Sequence, residues 1–111
     1  MTTQEAYDQI QAFFSATGAS LSMDANSQCY YRHPDNSAVR CAVGCLIPDN
    51  LYDQSFEGDA VGAIIADSDP IAQLFGGIVA FLGDVQIAHD ESKDVVAFLD
   101  RLESVADDHG V

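Results

Sequence analysis

The residue types best suited to chemistry gather in the first half of the chain. Cys29, His33, Cys41 and Cys45 are spaced C-x3-H…C-x3-C, four side chains of the kinds that hold zinc tetrahedrally. Whether they can share an ion depends on the backbone that carries residues 41 to 45. On a helix the two sulfurs start about 6 Å apart along the axis. On a strand the separation is about 13 Å, too far for one ion. Cysteine is among the most often buried residue types without any metal, so buried core thiols are the favoured reading. Zinc at Cys29, His33, Cys41 and Cys45 is the alternative, and no cofactor is expected.

Nucleophilic catalysis would need a thiol beside a base, and His33, His89 and His109 qualify by identity alone. The thiols of Cys41 and Cys45 lie in an apolar run, which raises a thiol's pKa and makes it inert. His89-Asp90 reads as a histidine at a helix C-terminus beside the next helix's capping aspartate. With 18 acidic residues in the chain, pairs such as Asp67 and Asp69 or Asp107 and Asp108 arise by chance. There is no Asp-x-Asp-x-Asp-Gly calcium loop and no glycine-rich phosphate cradle after a strand. The expectation is a protein without enzymatic activity and with no catalytic residues.

Positioning these groups falls to one domain of 111 residues, 48% of them hydrophobic, enough for a core without staples. Thr2 and Glu5 form a capping box, and Tyr7, Ile10, Phe13, Phe14 and Thr17 make one apolar face, so a helix is expected over roughly 3–17, stopped by Gly18. Residues 19 to 28 read as loop. Cys29-Tyr30-Tyr31-Arg32-His33 is β-prone, Pro34-Asp35-Asn36-Ser37 is turn chemistry, and an apolar run resumes to Ile47. The simplest reading is a β-hairpin over roughly 29–33 and 38–47. A helix from Cys41 stopped by Pro48 is the alternative, because period cannot assign a short apolar run. Helices follow over roughly 59–66, over 70–89 with a kink or break at Gly76-Gly77, and over 91–108. Asp69 with Pro70 reads as the start of the third helix, and Asp90 or Ser92 as the cap of the last. The fold class is α+β and mostly helical: about four helices on a small hairpin.

The charge is −14, and 12 of those net negative charges fall in residues 49 to 111. Such a surface disfavours nucleic acid and anionic membrane as direct ligands and favours encounter with basic partners. The longest apolar runs break within about a dozen residues, short of the roughly 20 that span a bilayer. The start, Met1-Thr2-Thr3-Gln4-Glu5, lacks a secretory signal, and three cysteines fit a reducing compartment, so the cytoplasm is expected. Asp49, Asp53 and Glu57 recur at every fourth residue, as do Glu103 and Asp107, a spacing of about 6 Å on a helix. Together with Asp59, Asp94, Asp100 and Asp108 they form the expected partner-binding set. These carboxylates could imitate nucleic-acid phosphates before a basic groove. The plain alternative is a solvated or halophilic surface, for which 14 Asp against 4 Glu and a single Lys is apt.

The stretch Cys41-Ala-Val-Gly-Cys-Leu-Ile-Pro-Asp49, with Leu51-Tyr52-Asp53, Glu57-Gly58, the Cys29-to-Arg32 segment and His89-Asp90, resembles a family of small acidic phage and prophage hypothetical proteins. The likeness spans most of the chain. It implies no site; it implies a setting, a viral or prophage accessory protein in a bacterial host. The function expected on that basis is inhibition of a host defence system, of anti-CRISPR or anti-restriction type, by occupying a basic surface of a host protein.

Overall fold

The computed structural model describes residues 1–111 except Thr17, Ala25 and Ser27. Among the described residues there are five helices: α1 (Thr3–Ser15), α2 (Val61–Asp67), α3 (Asp69–Phe75), α4 (Val79–Glu91) and α5 (Val95–Asp108). Short 3-10 turns stand at Gly44–Leu46 and Gln54–Phe56. Among the described residues no single helix is long and apolar enough to cross a membrane.

The expected α+β architecture is corrected to a helical one. Among the described residues there is no strand or hairpin, only isolated bridges joining Met23 to Cys29 and His33 to Asn36. The reason lies in where the backbone donors of residues 30 to 33 go. Tyr30 N–H reaches Ser22 O at 3.0 Å and His33 N–H reaches Val39 O at 2.9 Å. Tyr31 N–H and Arg32 N–H donate to the two oxygens of the Glu57 carboxylate at 2.8 and 3.1 Å. A side chain thus satisfies the donors a second strand would have satisfied. The proposed second arm coils instead, with Cys45 N–H to Cys41 O, Leu46 N–H to Val43 O and Ile47 N–H to Gly44 O. Its apolar residues need no alternation because Cys41, Ala42, Val43, Leu46 and Ile47 are all buried.

The helices differ from expectation in number and bounds, five among the described residues in place of about four. α1 carries the full Thr2–Glu5 capping box but ends at Ser15; Thr17, assigned to its apolar face, lies outside the described residues. The loop expected over 19–28 is irregular where described, Ala25 and Ser27 lying outside. The segment 70–89 is two helices, α3 and α4, meeting at 90° across Gly76-Gly77. Ser68, not Asp69, stands at the cap of α3, with Pro70 in its first turn. The last helix starts four residues later than expected, and its cap is Asp94, whose side chain accepts from Ala97 N–H at 2.8 Å. Ser92 instead closes α4, its hydroxyl donating to Ala88 O at 2.6 Å.

α1, α4 and α5 pack around Phe14, Phe81, Phe98 and Leu102, and α2 and α3 extend the same core through Ile64, Ile71 and Phe75. The Phe14 and Phe98 rings meet edge to face with centroids 4.8 Å apart, an arrangement worth about 0.5–1.5 kcal/mol beyond area burial. His89 completes this aromatic group at 5.9 Å from Phe14 and 5.6 Å from Phe98.

Candidate functional site

Two places concentrate polar groups: a hydrogen-bonded hub where the 20s loop meets the end of α4, and the outer face of α5. The hub is built on Asp90. Its Oδ1 accepts from Cys29 Sγ at 2.8 Å, from Gln86 Nε2 at 2.7 Å and from His89 Nδ1 at 3.0 Å. His89 is fully buried, and its Nε2 accepts the Ser22 N–H at 3.2 Å. That bond fixes the tautomer: with Nε2 an acceptor, the ring proton sits on Nδ1 and is donated to Asp90. Burial alone would raise the Asp90 carboxyl, but the bonds from His89, Cys29 and Gln86 outweigh it and hold the group below the usual carboxylate range. Burial first, then the hydrogen bond to Asp90 and its charge, push the Cys29 thiol up to about 12. The thiol is a donor to a carboxylate, not a nucleophile poised against a base.

Cys29, Gln86 and Asp90 open onto a cavity of about 510 Å³, also lined by Tyr30, Cys41 and Asp59. Cys41 is buried, and its sulfur accepts the Gly44 N–H at 3.3 Å. Cys45 donates to Ala42 O at 3.1 Å, and burial raises it to about 12 against the opposing pull of Arg40. His33 Nδ1 accepts the Asp35 N–H at 3.1 Å. The zinc set Cys29, His33, Cys41 and Cys45 is therefore not brought together. The group of such side chains whose donor atoms all lie within 4.8 Å of one another, among the described residues, is Cys29, His89 and Asp90.

The nine carboxylates assigned to partner binding divide in two. Asp49 bonds Arg32 at 2.9 Å and Arg40 at 3.3 Å. Asp53 caps the 3-10 turn through Ser55 N–H at 2.8 Å. Glu57 holds Tyr31, Arg32 and, at 2.6 Å, the Tyr52 hydroxyl. These three do not form a helical row, since residues 49 to 57 make turns. Asp94 is spent on the α5 cap; Asp59 is exposed, and the Tyr31 hydroxyl bonds its backbone carbonyl, so its carboxylate has no ion pair or side-chain hydrogen bond among the described residues. Asp100, Glu103, Asp107 and Asp108 are exposed on α5, and no ion pair or side-chain hydrogen bond holds them among the described residues. At 3.6 residues per turn, Asp100, Glu103 and Asp107 fall within an arc of about 60°, and Asp108 stands about 100° away from Asp107. Val96, 72% exposed, falls within the same arc. Arg101 lies off it, in a groove with Glu91 and Asp108 between α4 and α5.

Sequence reasoning missed Ser22 and Gln86, and it placed Glu57 in the partner-binding row rather than at the amides of Tyr31 and Arg32. A loop serine and a helical glutamine carry no signal until the fold brings them to His89 and Asp90. His89-Asp90 drew attention as a dipeptide, but as a junction between helices; both residues lie in the last turns of α4. No family model, no curated protein and no solved structure matches this chain, so what its sites can do rests on their own geometry.

Proposed function

We propose that this protein is a non-enzymatic binding factor that presents the outer face of α5 to a basic, nucleic-acid-binding surface of a partner protein. The observation that carries the reading is the row Asp100, Glu103 and Asp107: three exposed carboxylates on one helical face, unpartnered among the described residues and edged by exposed Val96. The row advances about 10 Å along the helix. Carboxylates already neutralised within the fold, such as Asp49, contribute little to such a surface; those on α5 keep their charge for an incoming cation. Coulomb attraction across this face speeds encounter and selects a basic partner. The raised thiols of Cys29 and Cys45 support a role without cysteine catalysis.

The bacterial host, the cytoplasm and a defence protein of CRISPR or restriction type belong to the same proposal and rest on the phage-family resemblance. The test is capture from host lysate on immobilised wild-type protein and on the Asp100→Asn, Glu103→Gln, Asp107→Asn variant. The expected result is a nucleic-acid-binding protein retained by the wild type alone, released by salt and displaced by nucleic acid. A captured partner indifferent to salt, or equally retained by the variant, contradicts the reading.

A further inference from the structure

The hub at Asp90 contains three donors of the sort that transition metals take, and one buried atom with no partner. Cys29 Sγ, an imidazole nitrogen of His89 and an Asp90 oxygen lie within 4.8 Å of one another, and Nδ1 is the nitrogen that faces Asp90, at 3.0 Å. Sulfur, imidazole nitrogen and carboxylate oxygen together form a borderline-soft set suited to zinc and unsuited to magnesium or calcium. In a tetrahedral zinc site the ligand atoms stand about 3.3–3.5 Å apart, given bonds of about 2.0–2.3 Å. The present separations of Oδ1, 2.8 Å to Sγ and 3.0 Å to Nδ1, need only about half an ångström of spreading. The Cys29 and Asp90 side chains are not locked in the core and can supply it.

The second observation is Ser22. Its hydroxyl is buried and has no hydrogen-bond partner among the described residues, although its own N–H touches His89 Nε2. If a metal takes the Nδ1 lone pair, the ring proton moves to Nε2, where the Ser22 N–H now donates; that bond must break, and Ser22 must turn so that its unpaired Oγ rather than its N–H faces the ring. Gln86 plays the corresponding part on the other ligand: its Nε2 donates to Asp90 while its Oε1 accepts the Val43 N–H at 3.3 Å, which orients the carboxylate.

We propose that Cys29 Sγ, His89 Nδ1 and an Asp90 carboxylate oxygen bind one zinc-class divalent ion, with the fourth position open to the adjoining cavity for water or an incoming ligand. On binding, the Cys29 thiol proton leaves to solvent, the His89 proton shifts from Nδ1 to Nε2, and the Ser22 N–H gives up its bond to Nε2. The ion ties the irregular 20s loop to the end of α4. None of the α5 carboxylates is involved, so this site and the acidic face stand or fall separately.

The test is titration of chelator-treated protein with Zn2+ and, for its spectrum, Co2+. The expected result is one ion per chain, a sulfur-to-cobalt charge-transfer band, and a zinc-dependent 15N shift at His89 Nδ1. Cys29→Ser removes the band and Asp90→Asn weakens binding at least tenfold, whereas Cys41→Ala and Cys45→Ala leave the stoichiometry unchanged. Ser22→Ala weakens binding by about tenfold, as loss of an outer partner does, with the circular dichroism of the metal-free protein preserved. Should Cys29→Ser fail to fold, the wild-type band and the His89 shift decide the matter. No stoichiometric binding at micromolar metal, binding unaltered in Cys29→Ser, or loss of the ion in the Cys41 or Cys45 variants overturns the proposal.

Discussion

Glu57 organises the middle of the chain. One half-buried carboxylate receives two successive backbone amides and the Tyr52 hydroxyl, and beside it Arg32 lies 4.2 Å over the Tyr52 ring and donates to Ile47 O at 3.1 Å. Glu57→Ala leaves the Tyr31 and Arg32 amides short of an acceptor, and the expected cost is about 1–3 kcal/mol. Urea unfolding checks it, and a change within a few tenths of a kcal/mol would contradict the role. The thiols give a second residue-scale expectation. With Cys29 and Cys45 raised to about 12 and Cys41 buried, all three should alkylate at pH 7.5 far more slowly in the folded protein than in urea. Fast native labelling of any one would reopen a nucleophilic role for it. At this scale the sequence showed which residues were unusual, such as Cys29 and His89-Asp90, but not their partners. Ser22 reaches His89 across 67 positions and Cys29 reaches Asp90 across 61, and no local pattern encodes contacts of that separation.

Helices were the legible elements, for reasons that are local. The capping box at Thr2, the apolar face of Tyr7, Ile10, Phe13 and Phe14, and the paired glycines between α3 and α4 are all written within a few residues of the feature they specify. Residues 29 to 47 were misread because strand propensity reports fit to a half-buried pleated surface, and coils buried on all sides recruit the same residue types. Gly44 illustrates the difference. It is buried in the 3-10 turn, and a Cβ there would run into the Tyr31 backbone, the segment Glu57 clamps. Gly44→Ala must push the two segments apart, at an expected cost of about 1–3 kcal/mol. Thermal unfolding measures it; an alanine tolerated without loss would mean that the two segments are not in close contact.

For the molecule as a whole, charge sets the response to solvent. A net charge of −14 repels itself in the compact state, so at pH 7 added sodium chloride should raise the melting temperature through screening. Acid acts in the other direction once salt has removed the repulsion. The Asp24 carboxyl is held low by the backbone amide of Gln28, then against burial by Asn26 and Tyr30, and Glu5 and Asp53 are held low chiefly by the backbone amides of Thr2 and Ser55. A carboxyl lower in the folded than in the unfolded chain stabilises above its unfolded pKa and ceases to do so as pH falls through its folded one. In high salt, stability should therefore decline from about pH 5 downward, and Asp24→Asn should flatten that decline. An acid limb identical in the variant would contradict the assignment.

Charge was also the most legible whole-molecule property, since it needs only counting, yet its sum did not say which carboxylates were free. Asp49, Asp53 and Glu57 formed the more regular row in the sequence, but the fold spends all three on its own turns. The row left available is on α5. The most direct measurement of its role is the affinity for a nine-arginine peptide at low salt of two triply neutralised variants. One carries Asp100→Asn, Glu103→Gln and Asp107→Asn; the other carries Asp67→Asn, Asp69→Asn and Glu91→Gln, also exposed but carried on three different helices. A concentrated basic-partner face predicts at least a tenfold loss for the first, about 1.4 kcal/mol, and about twofold or less for the second. Equal losses in the two would mean that the acidity is a general property of the surface, and would contradict the account.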